Sequence, residues 1–302
     1  MTDEPLDLST IATEYATPEA AEAYFEQVRW PNGVACVQCG SVEVYEIKPK
    51  ATSTKSRKHL KLWKCSECAA QFTVTVGTVF EGSHIALNKW LLALHLLCSS
   101  KKGMSAHQLH RMLKVTYKTA WFMAHRIRYA MEETYTDKLE GVIEADETYV
   151  GGRRKGLGHG YDNKIPVVTL VERGGRARSK MVSHVTARRV RTILKNNVSP
   201  DARIMTDTAS VYWGVHNDFS SHETVNHQKK EYARGDVTTN TVEGYFATFK
   251  RGIEGVYHHV SEKHLPRYLA EFDFRYNGRK VEDGVRTLWA IEGAEGKRLR
   301  LQ

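Results

Sequence analysis

Three acidic residues stand in segments that have the pattern of a buried strand or of the start of a helix. Asp146 lies within VIEADETYVGG, Asp207 ends the segment RIMTD, and Glu243 begins a helical pattern in NTVEGYFATFKRGI. Carboxylate oxygens are the ligands that Mg²⁺ and Mn²⁺ prefer, and two such ions about 3.5–4 Å apart can activate an attacking oxygen and stabilise a leaving one on phosphorus. If the fold brings the three acids together, the sequence predicts a two-ion Mg²⁺ or Mn²⁺ site for phosphodiester chemistry.

Neighbouring acids compete for these roles, and a single Asp after an apolar run is more often a strand cap or a solvated residue than a ligand. Side chains alternate along a strand, which places Glu147 on the face opposite Asp146. Glu144 shares the face of Asp146 but lies one strand pair further back. Asp146 is therefore the preferred ligand of the three. Other acids are interpreted as loop residues: Glu223, Glu231 and Asp236.

Glu243 and Lys250 share one face of the helix that is predicted for NTVEGYFATFKRGI. The apolar side chains of this helix recur at helical spacing and would pack on a sheet: Val242, Phe246, Phe249 and Ile253. Seven residues rise about 10 Å along a helix, a separation that suits a metal ligand at one end and a phosphate contact at the other. The positive end of the helix dipole also favours an ionised Glu243.

Four of the five cysteines form two CxxC pairs, Cys36 with Cys39 and Cys65 with Cys68. Two such pairs, with β-prone segments between and beyond them, bring four thiolates to the tetrahedral geometry of a zinc ribbon. Two unrelated CxxC pairs or a redox pair are the alternatives, but a redox site has one CxxC in a βαβ context. The spacing predicts one structural Zn²⁺. Cys98 lies in an apolar helical run and is interpreted as a core thiol.

The charge of the chain favours a polyanionic partner. The 302 residues carry a formal charge of +9, and because the first thirty are acidic the remainder is more basic still. DNA is the expected partner, although basic residues that only solvate the surface are an equal alternative. The basic segment from Lys48 to Lys61 could contact phosphate or form a solvated hairpin tip. With no run of about 18 apolar residues and no signal-peptide pattern, we expect no membrane association and a cytoplasmic, nucleoid-associated protein.

A helix-turn-helix candidate follows the ribbon. Ser105 begins a short helix, residues 114–116 form a tight connection, and Thr116 begins the next helix. The second helix is a candidate for insertion into the major groove, and an ordinary three-helix support is the alternative. The expected contacts with DNA are Lys118, Thr119 and Arg126.

The order of strand and helix patterns after residue 141 resembles an RNase H-like core. The predicted fold class is α/β: an RNase H-like mixed sheet with helices, preceded by a small zinc ribbon and a helical helix-turn-helix module. The predicted divisions are an N-terminal helical segment (1–30), the zinc ribbon (31–82), the helix-turn-helix module (83–135), the catalytic domain (136–280) and a C-terminal tail (281–302).

The motifs DETYVGG at 146–152, TD at 206–207 and NTVEGYFATFKRGIEGVYHHVS at 240–261 resemble those of the DDE transposases of bacterial insertion sequences, in the subgroup with an N-terminal zinc ribbon. The resemblance runs from Cys36 to about Arg279. It implies that the three acids bind the metal ions and that the lysine seven residues after the Glu accompanies them. It also implies hydrolysis at transposon ends followed by attack of the freed 3′-OH on target DNA, by a homo-oligomer assembled on DNA.

Two other functions stay open. A metal-dependent nuclease or resolvase on the same fold would cleave without joining strands, and a non-catalytic DNA-binding regulator would use only the ribbon and the helix-turn-helix. Some related elements have Asn in place of the Glu, whereas this chain has Glu243. His258, His259 and the segment 271–277 match the family pattern, but only packing and backbone contact are expected of them.

Overall fold

The computed structural model describes residues 6–48, 60–151 and 164–299. Most of the basic segment predicted between residues 48 and 61 therefore lies outside the described residues, as does the glycine-rich insertion after residue 151. The chain forms two compact units, residues 1–132 together with 281–302, and residues 133–280. No helix within the described ranges is long and apolar enough to cross a membrane.

The α-helices of the described residues are α1 (Leu8–Thr13), α2 (Pro18–Arg29), α3 (Leu87–Ser99), α4 (Ala106–Leu113), α5 (Tyr117–Ala130), α6 (Ala187–Asn197), α7 (Asn240–Gly252), α8 (Leu265–Asn277) and α9 (Asp283–Glu292). The strands are β1 (Val44–Ile47), β2 (Leu62–Cys65), β3 (Gln71–Phe72), β4 (Val142–Val150), β5 (Ile165–Glu172), β6 (Ala177–Met181), β7 (Arg203–Asp207), β8 (Ser221–Val225), β9 (Ala233–Arg234) and β10 (Val237–Thr238).

The ribbon of the first unit is an antiparallel sheet in the order β1-β2-β3. Its small core consists of Cys36, Cys65 and Phe72, with Trp30 and Trp63 packed against it. So few apolar side chains supply little burial energy, and small modules of this kind usually depend on a metal or disulfides. The predicted strands on both sides of the second CxxC pair are confirmed.

The helix-turn-helix candidate has the start signals that the sequence predicted. Ser105 caps α4 through the amide of Gln108 at 3.2 Å, and Thr116 caps α5 through the amide of Thr119 at 3.2 Å. Between the helices Lys114 adopts φ 53°, in the left-handed region that ends a helix sharply. Residues 281–302, predicted as a separate tail, belong to this unit and contain α9, which packs against α3.

The second unit contains a mixed five-stranded sheet in the order β6-β5-β4-β7-β8. β5 is antiparallel to both of its neighbours, β6 and β4, while β7 and β8 run parallel to β4. One face packs against α6, with Ile143, Ala145 and Ile204 in the core. The other packs against α7 and α8, with Val150 and Val242 in the core. The predicted mixed α/β fold is confirmed.

Helix α8, which contains the segment 271–277, docks on β6 through polar side chains. The Asn277 amide accepts a hydrogen bond from the Ala177 amide at 2.7 Å and donates to the Ala177 carbonyl at 3.2 Å. Asp273 accepts hydrogen bonds from the Ser179 amide and hydroxyl, both at 2.7 Å. On another side of α8, buried Glu271 pairs with Arg275. This segment therefore packs on the sheet, and its polar side chains bond to the backbone of β6.

Candidate metal sites and DNA contacts

The sheet register brings Asp146 and Asp207 onto neighbouring strands at the same level. Glu144 of β4 is paired with Met205 of β7, and the two aspartates lie two residues further along their parallel strands. Because side chains alternate, Asp146 points to the same face as Val150, which packs with α7. Asp207 lies on that face as well, opposite to the side of buried Ile204. Both side chains are half-buried.

Glu243 lies in the first turn of α7, the helix that covers this face of the sheet. Its carboxylate accepts a hydrogen bond from the Thr239 hydroxyl at 2.9 Å, and the His227 Nε2 atom lies 3.3 Å from the same oxygen. The side chain of Glu243 is 45% exposed, so it is accessible from solvent. Lys250 is exposed near the end of the same helix.

The electrostatics link the three acids. Burial above all, with the nearby charges of Glu147, Asp207 and Glu243, raises the pKa of Asp146 to about 7, against one hydrogen bond from the Glu147 amide. Asp207 accepts a hydrogen bond from the Ala209 amide at 2.9 Å. In the part of the chain that the structure describes, neither aspartate pairs with a basic side chain. Carboxylates that repel one another and have no cationic partner fit a divalent cation.

The three carboxylates are more widely spread than the ligands of a single compact ion site. Among the described residues, the cysteine cluster is the one group of three or more possible ligands whose atoms all lie within 4.8 Å of one another. A two-ion site does not require such a compact group, because its ligands are shared between ions about 3.5–4 Å apart.

Glu147 lies on the opposite face of β4, as the alternation predicted. Its carboxylate accepts a hydrogen bond from the Tyr212 hydroxyl at 2.7 Å, and burial raises the pKa of Glu147. Tyr212 lies in a short 3₁₀ turn shortly after Asp207, so this contact fixes the segment that follows the second acid. The prediction that Glu223 is a loop acid is wrong, because it lies on β8 and pairs with Arg203.

Sequence reasoning missed two residues beside the acids, Glu144 and Arg173. Glu144 is fully buried and accepts hydrogen bonds from the first turn of α7, and Arg173 donates to Glu144 at 2.6 Å. The sequence did indicate that Glu144 lies on the same face of the strand as Asp146. Nothing local in the sequence indicates that Glu144 bonds to amides of α7, almost a hundred residues away.

The four cysteines of the two CxxC pairs form a single cluster. The sulfur atoms of Cys36 and Cys68 are 3.5 Å apart, and those of Cys39 and Cys65 are 3.7 Å apart. Ligands about 2.3 Å from a tetrahedral zinc ion are separated by about 3.8 Å, close to these values. The Cys39 amide donates to Cys36 and lowers the pKa of that thiol, whereas burial and the neighbouring Cys36 thiol raise the pKa of Cys68. The cysteines are positioned to bind a zinc ion.

The residues expected to contact DNA differ in their environments. Lys118 is exposed in the first turn of α5, whereas Thr119 is partly buried and bonds to the cap residue Thr116. Arg126 is only 7% exposed, and its guanidinium lies over the ring of Phe122 at 4.5 Å. We therefore leave Arg126 out of the DNA-binding surface that we propose below. Cys98 is buried, as expected for a core thiol.

Comparisons with known proteins agree with this geometry. Residues 138–277 match the model of the ISXO2-like transposase domain, and residues 16–71 match that of the transposase zinc-ribbon domain. The chain is also 29% identical over 279 residues to a protein of Halobacterium salinarum described as an uncharacterized protein in transposable element ISH50, an alignment that covers 86% of this chain and 91% of the relative. The chain therefore contains an ISXO2-like DDE transposase domain that follows a transposase zinc-ribbon domain.

Proposed function

We propose that the protein binds the ends of an insertion sequence, cleaves the DNA there and joins the freed 3′-OH to target DNA. The observation that carries the proposal is the convergence of Asp146, Asp207 and Glu243 on one face of the sheet, under the first turn of α7. The ISXO2-like domain spans all three acids. Divalent ions, when bound, would supply the Lewis acidity that activates the attacking oxygen and stabilises the leaving oxygen.

Different residues would bind the metal ions and the DNA. The three acids would hold two Mg²⁺ or Mn²⁺ ions. Lys250 cannot be a metal ligand because it is a cation, but it is exposed further along α7 and could contact a phosphate of the bound strand. The zinc ribbon and the α4–α5 pair would bind the ends, with Lys118 at the start of the recognition helix. Homo-oligomeric assembly on DNA is part of the same proposal.

Purified full-length protein, incubated with supercoiled donor DNA that carries the ends of its own element, tests this function. We expect Mg²⁺-dependent nicking and strand joining by the native protein, and neither by Asp146→Asn or Asp207→Asn, while both variants still bind end DNA. Asp201→Asn changes an exposed acid of the same unit and serves as the matched control, with full activity.

The products separate the alternatives. Cleavage without a joined strand would indicate the nuclease or resolvase, and binding without cleavage would indicate the DNA-binding regulator. Pre-nicked ends bypass the cleavage step and test whether both reactions share one site. Normal joining of such ends by Asp146→Asn would rule out the shared site.

A further inference from the structure

Glu144 is a buried carboxylate that caps a helix from a different element. Its Oε2 atom accepts hydrogen bonds from the amides of Thr241 at 2.7 Å and Val242 at 3.0 Å, and its Oε1 atom accepts one from the Thr241 hydroxyl at 2.9 Å. These amides belong to the first turn of α7, where helical amides lack partners within the helix. The residue in the usual capping position, Thr239, makes no side-chain cap of its own. The cap of α7 is thus supplied by β4.

Arg173 completes this arrangement. It donates through Nε to Glu144 at 2.6 Å and through its two terminal nitrogens to the carbonyl groups of Asp236 at 2.7 Å and Thr238 at 2.9 Å. The guanidinium neutralises the buried carboxylate and also holds the chain that leads into α7. We call this pair, with its bonds to residues 236–242, the Glu144–Arg173 clamp.

The clamp lies immediately beside two of the acids. On β4, Glu144 is two residues before Asp146 and on the same face. On α7, Val242 directly precedes Glu243. The bonds of the clamp therefore fix the distance between the strand that carries one acid and the helix turn that carries another. A local Ser or Asp cap would satisfy the same amides without tying α7 to β4.

A buried ion pair caps a helix with little net gain in stability. Removing the two charges from water costs several kcal/mol for each ion, which is about as large as their electrostatic attraction in the protein interior. A well-packed apolar contact would hold the helix at no greater cost. Stability alone therefore does not account for the clamp. Its directional bonds account for it if α7 has to lie at a fixed distance from β4.

We propose that the Glu144–Arg173 clamp is a positioning device that sets Glu243 against Asp146 for cation binding. This inference rests on the proposed function, since it requires that these acids bind metal. Residues that orient metal ligands from behind typically change metal affinity by about 10–100-fold when they are replaced. The clamp should have an effect of that size although neither of its members contacts the ions.

Glu144→Gln is the test substitution. The carboxamide keeps one acceptor oxygen but directs an NH₂ group at a donor, so at least one of the bonds to α7 or to Arg173 is lost. In the full-length protein, loaded with zinc but free of Mg²⁺ and Mn²⁺, we expect faster hydrogen exchange in the peptide that contains Thr241 and Val242. We also expect the affinity for Mn²⁺, measured by calorimetry, to fall by at least about tenfold.

Glu271→Gln is the matched control. Glu271 is also fully buried and paired with an arginine, Arg275, but the pair lies within α8. Both substitutions remove a buried charge and both should lower stability. Only Glu144→Gln should weaken Mn²⁺ binding and expose the first turn of α7. If Glu271→Gln weakens Mn²⁺ binding equally, the clamp has no special role and the inference fails.

Arg173→Lys keeps the inference testable if Glu144→Gln does not fold. The side chain of Arg173 is 25% exposed, and lysine retains the charge while losing the bonds to the two carbonyl groups. We expect weakened Mn²⁺ binding with native secondary structure, and unchanged Mn²⁺ affinity in this variant overturns the inference.

Asp146→Asn distinguishes a failure of the clamp's positioning role from a failure of the proposed metal site. If it weakens Mn²⁺ binding and the folded clamp variants do not, the positioning role is wrong and the metal site stands. If Asp146→Asn itself leaves Mn²⁺ binding unchanged, the proposed function fails and the clamp has no site to position.

Discussion

The Tyr245 hydroxyl is the contact whose removal gives the sharpest test of how α7 is held. It donates to the Asp273 carboxylate at 2.6 Å and lies 2.9 Å from the Ser179 hydroxyl, and Tyr245 is 3% exposed. Phenylalanine at this position keeps the ring and its packing against Phe249 and Tyr276. Tyr245→Phe therefore removes one polar contact between α7 and α8 with little change in shape.

The expected decrease in the free energy of unfolding follows from the hydrogen bonds that Asp273 keeps. A hydrogen bond to a charged group contributes about 1.5–3 kcal/mol, and Asp273 would keep its two bonds from Ser179. We therefore expect Tyr245→Phe to lower the free energy of unfolding by about 2 kcal/mol. Tyr276→Phe is the control, because its hydroxyl has no hydrogen-bond partner in the described part of the chain. That variant should change stability by less than about 0.5 kcal/mol.

The loss should also depend on pH. Burial raises the pKa of Asp273 to about 7, while the Tyr245 and Ser179 donors act in the opposite direction. Below that pH the acid is mostly neutral and the hydrogen bond is weaker; above it the carboxylate is charged and the bond is stronger. In addition, because the folded pKa lies above the ordinary 3.8, Asp273 makes the native protein less stable as pH rises from about 4 to 7.

Urea unfolding at pH 5.5 and 8 measures how much Tyr245→Phe lowers the free energy of unfolding. Hydrogen exchange under native conditions, measured for peptides from α7 and β6, shows whether the destabilisation is located at this contact. A loss below about 0.5 kcal/mol at pH 8, or an equal loss in Tyr276→Phe, would refute the role of the hydroxyl.

Four further outcomes are expected. Cys65→Ser should release zinc and unfold the ribbon while the second unit keeps its native exchange pattern, and zinc retained at one equivalent would contradict this. Because the pKa of Asp146 is raised to about 7, Mn²⁺ must displace a proton at lower pH; its affinity should rise by up to about tenfold per unit between pH 5 and 7 and then level off, as calorimetry can measure. Lys250→Ala should weaken strand joining without changing Mn²⁺ affinity, so loss of bound Mn²⁺ would assign the lysine a different role. Lys118→Ala should weaken binding to end DNA and reduce the slope of the log binding constant against log salt concentration by about one. Lys180 is an exposed lysine on β6, and Lys180→Ala should leave both the affinity and the slope unchanged.

Local patterns in the sequence predict much of the fold around the acids. Alternation along β4 correctly separates Asp146 from Glu147, because the two faces of the sheet pack against different helices. The apolar stripe of α7 correctly predicts which side of that helix meets the sheet. Capping signals at Ser105 and Thr116 place the starts of α4 and α5. Each of these features depends on residues that are close together in the chain.

Features that depend on distant partners were not predictable in this way. The helical spacing of Ala120, Met123 and Ile127 in α5 predicts that Arg126 lies on the solvent side. Arg126 is nevertheless buried, because α5 is covered on more than one side and α9 is among the helices that pack on it. The segment that became α9 was predicted as a tail. Glu144 was ranked as a weaker ligand, while its actual partners are amides of α7. In each case the missing information was the identity of a neighbour far away in the sequence.

The docking of α8 on β6 has a consequence for how copies of this protein can meet. An edge strand with free amide and carbonyl groups is a template on which another chain can add a strand. In β6 the outward groups of Ala177 and the amide of Ser179 are already occupied by Asn277 and Asp273. A second copy could extend the sheet on this side only by displacing both side chains from their bonds. This edge of the sheet is therefore protected at Ala177 and Ser179 against self-association by strand addition.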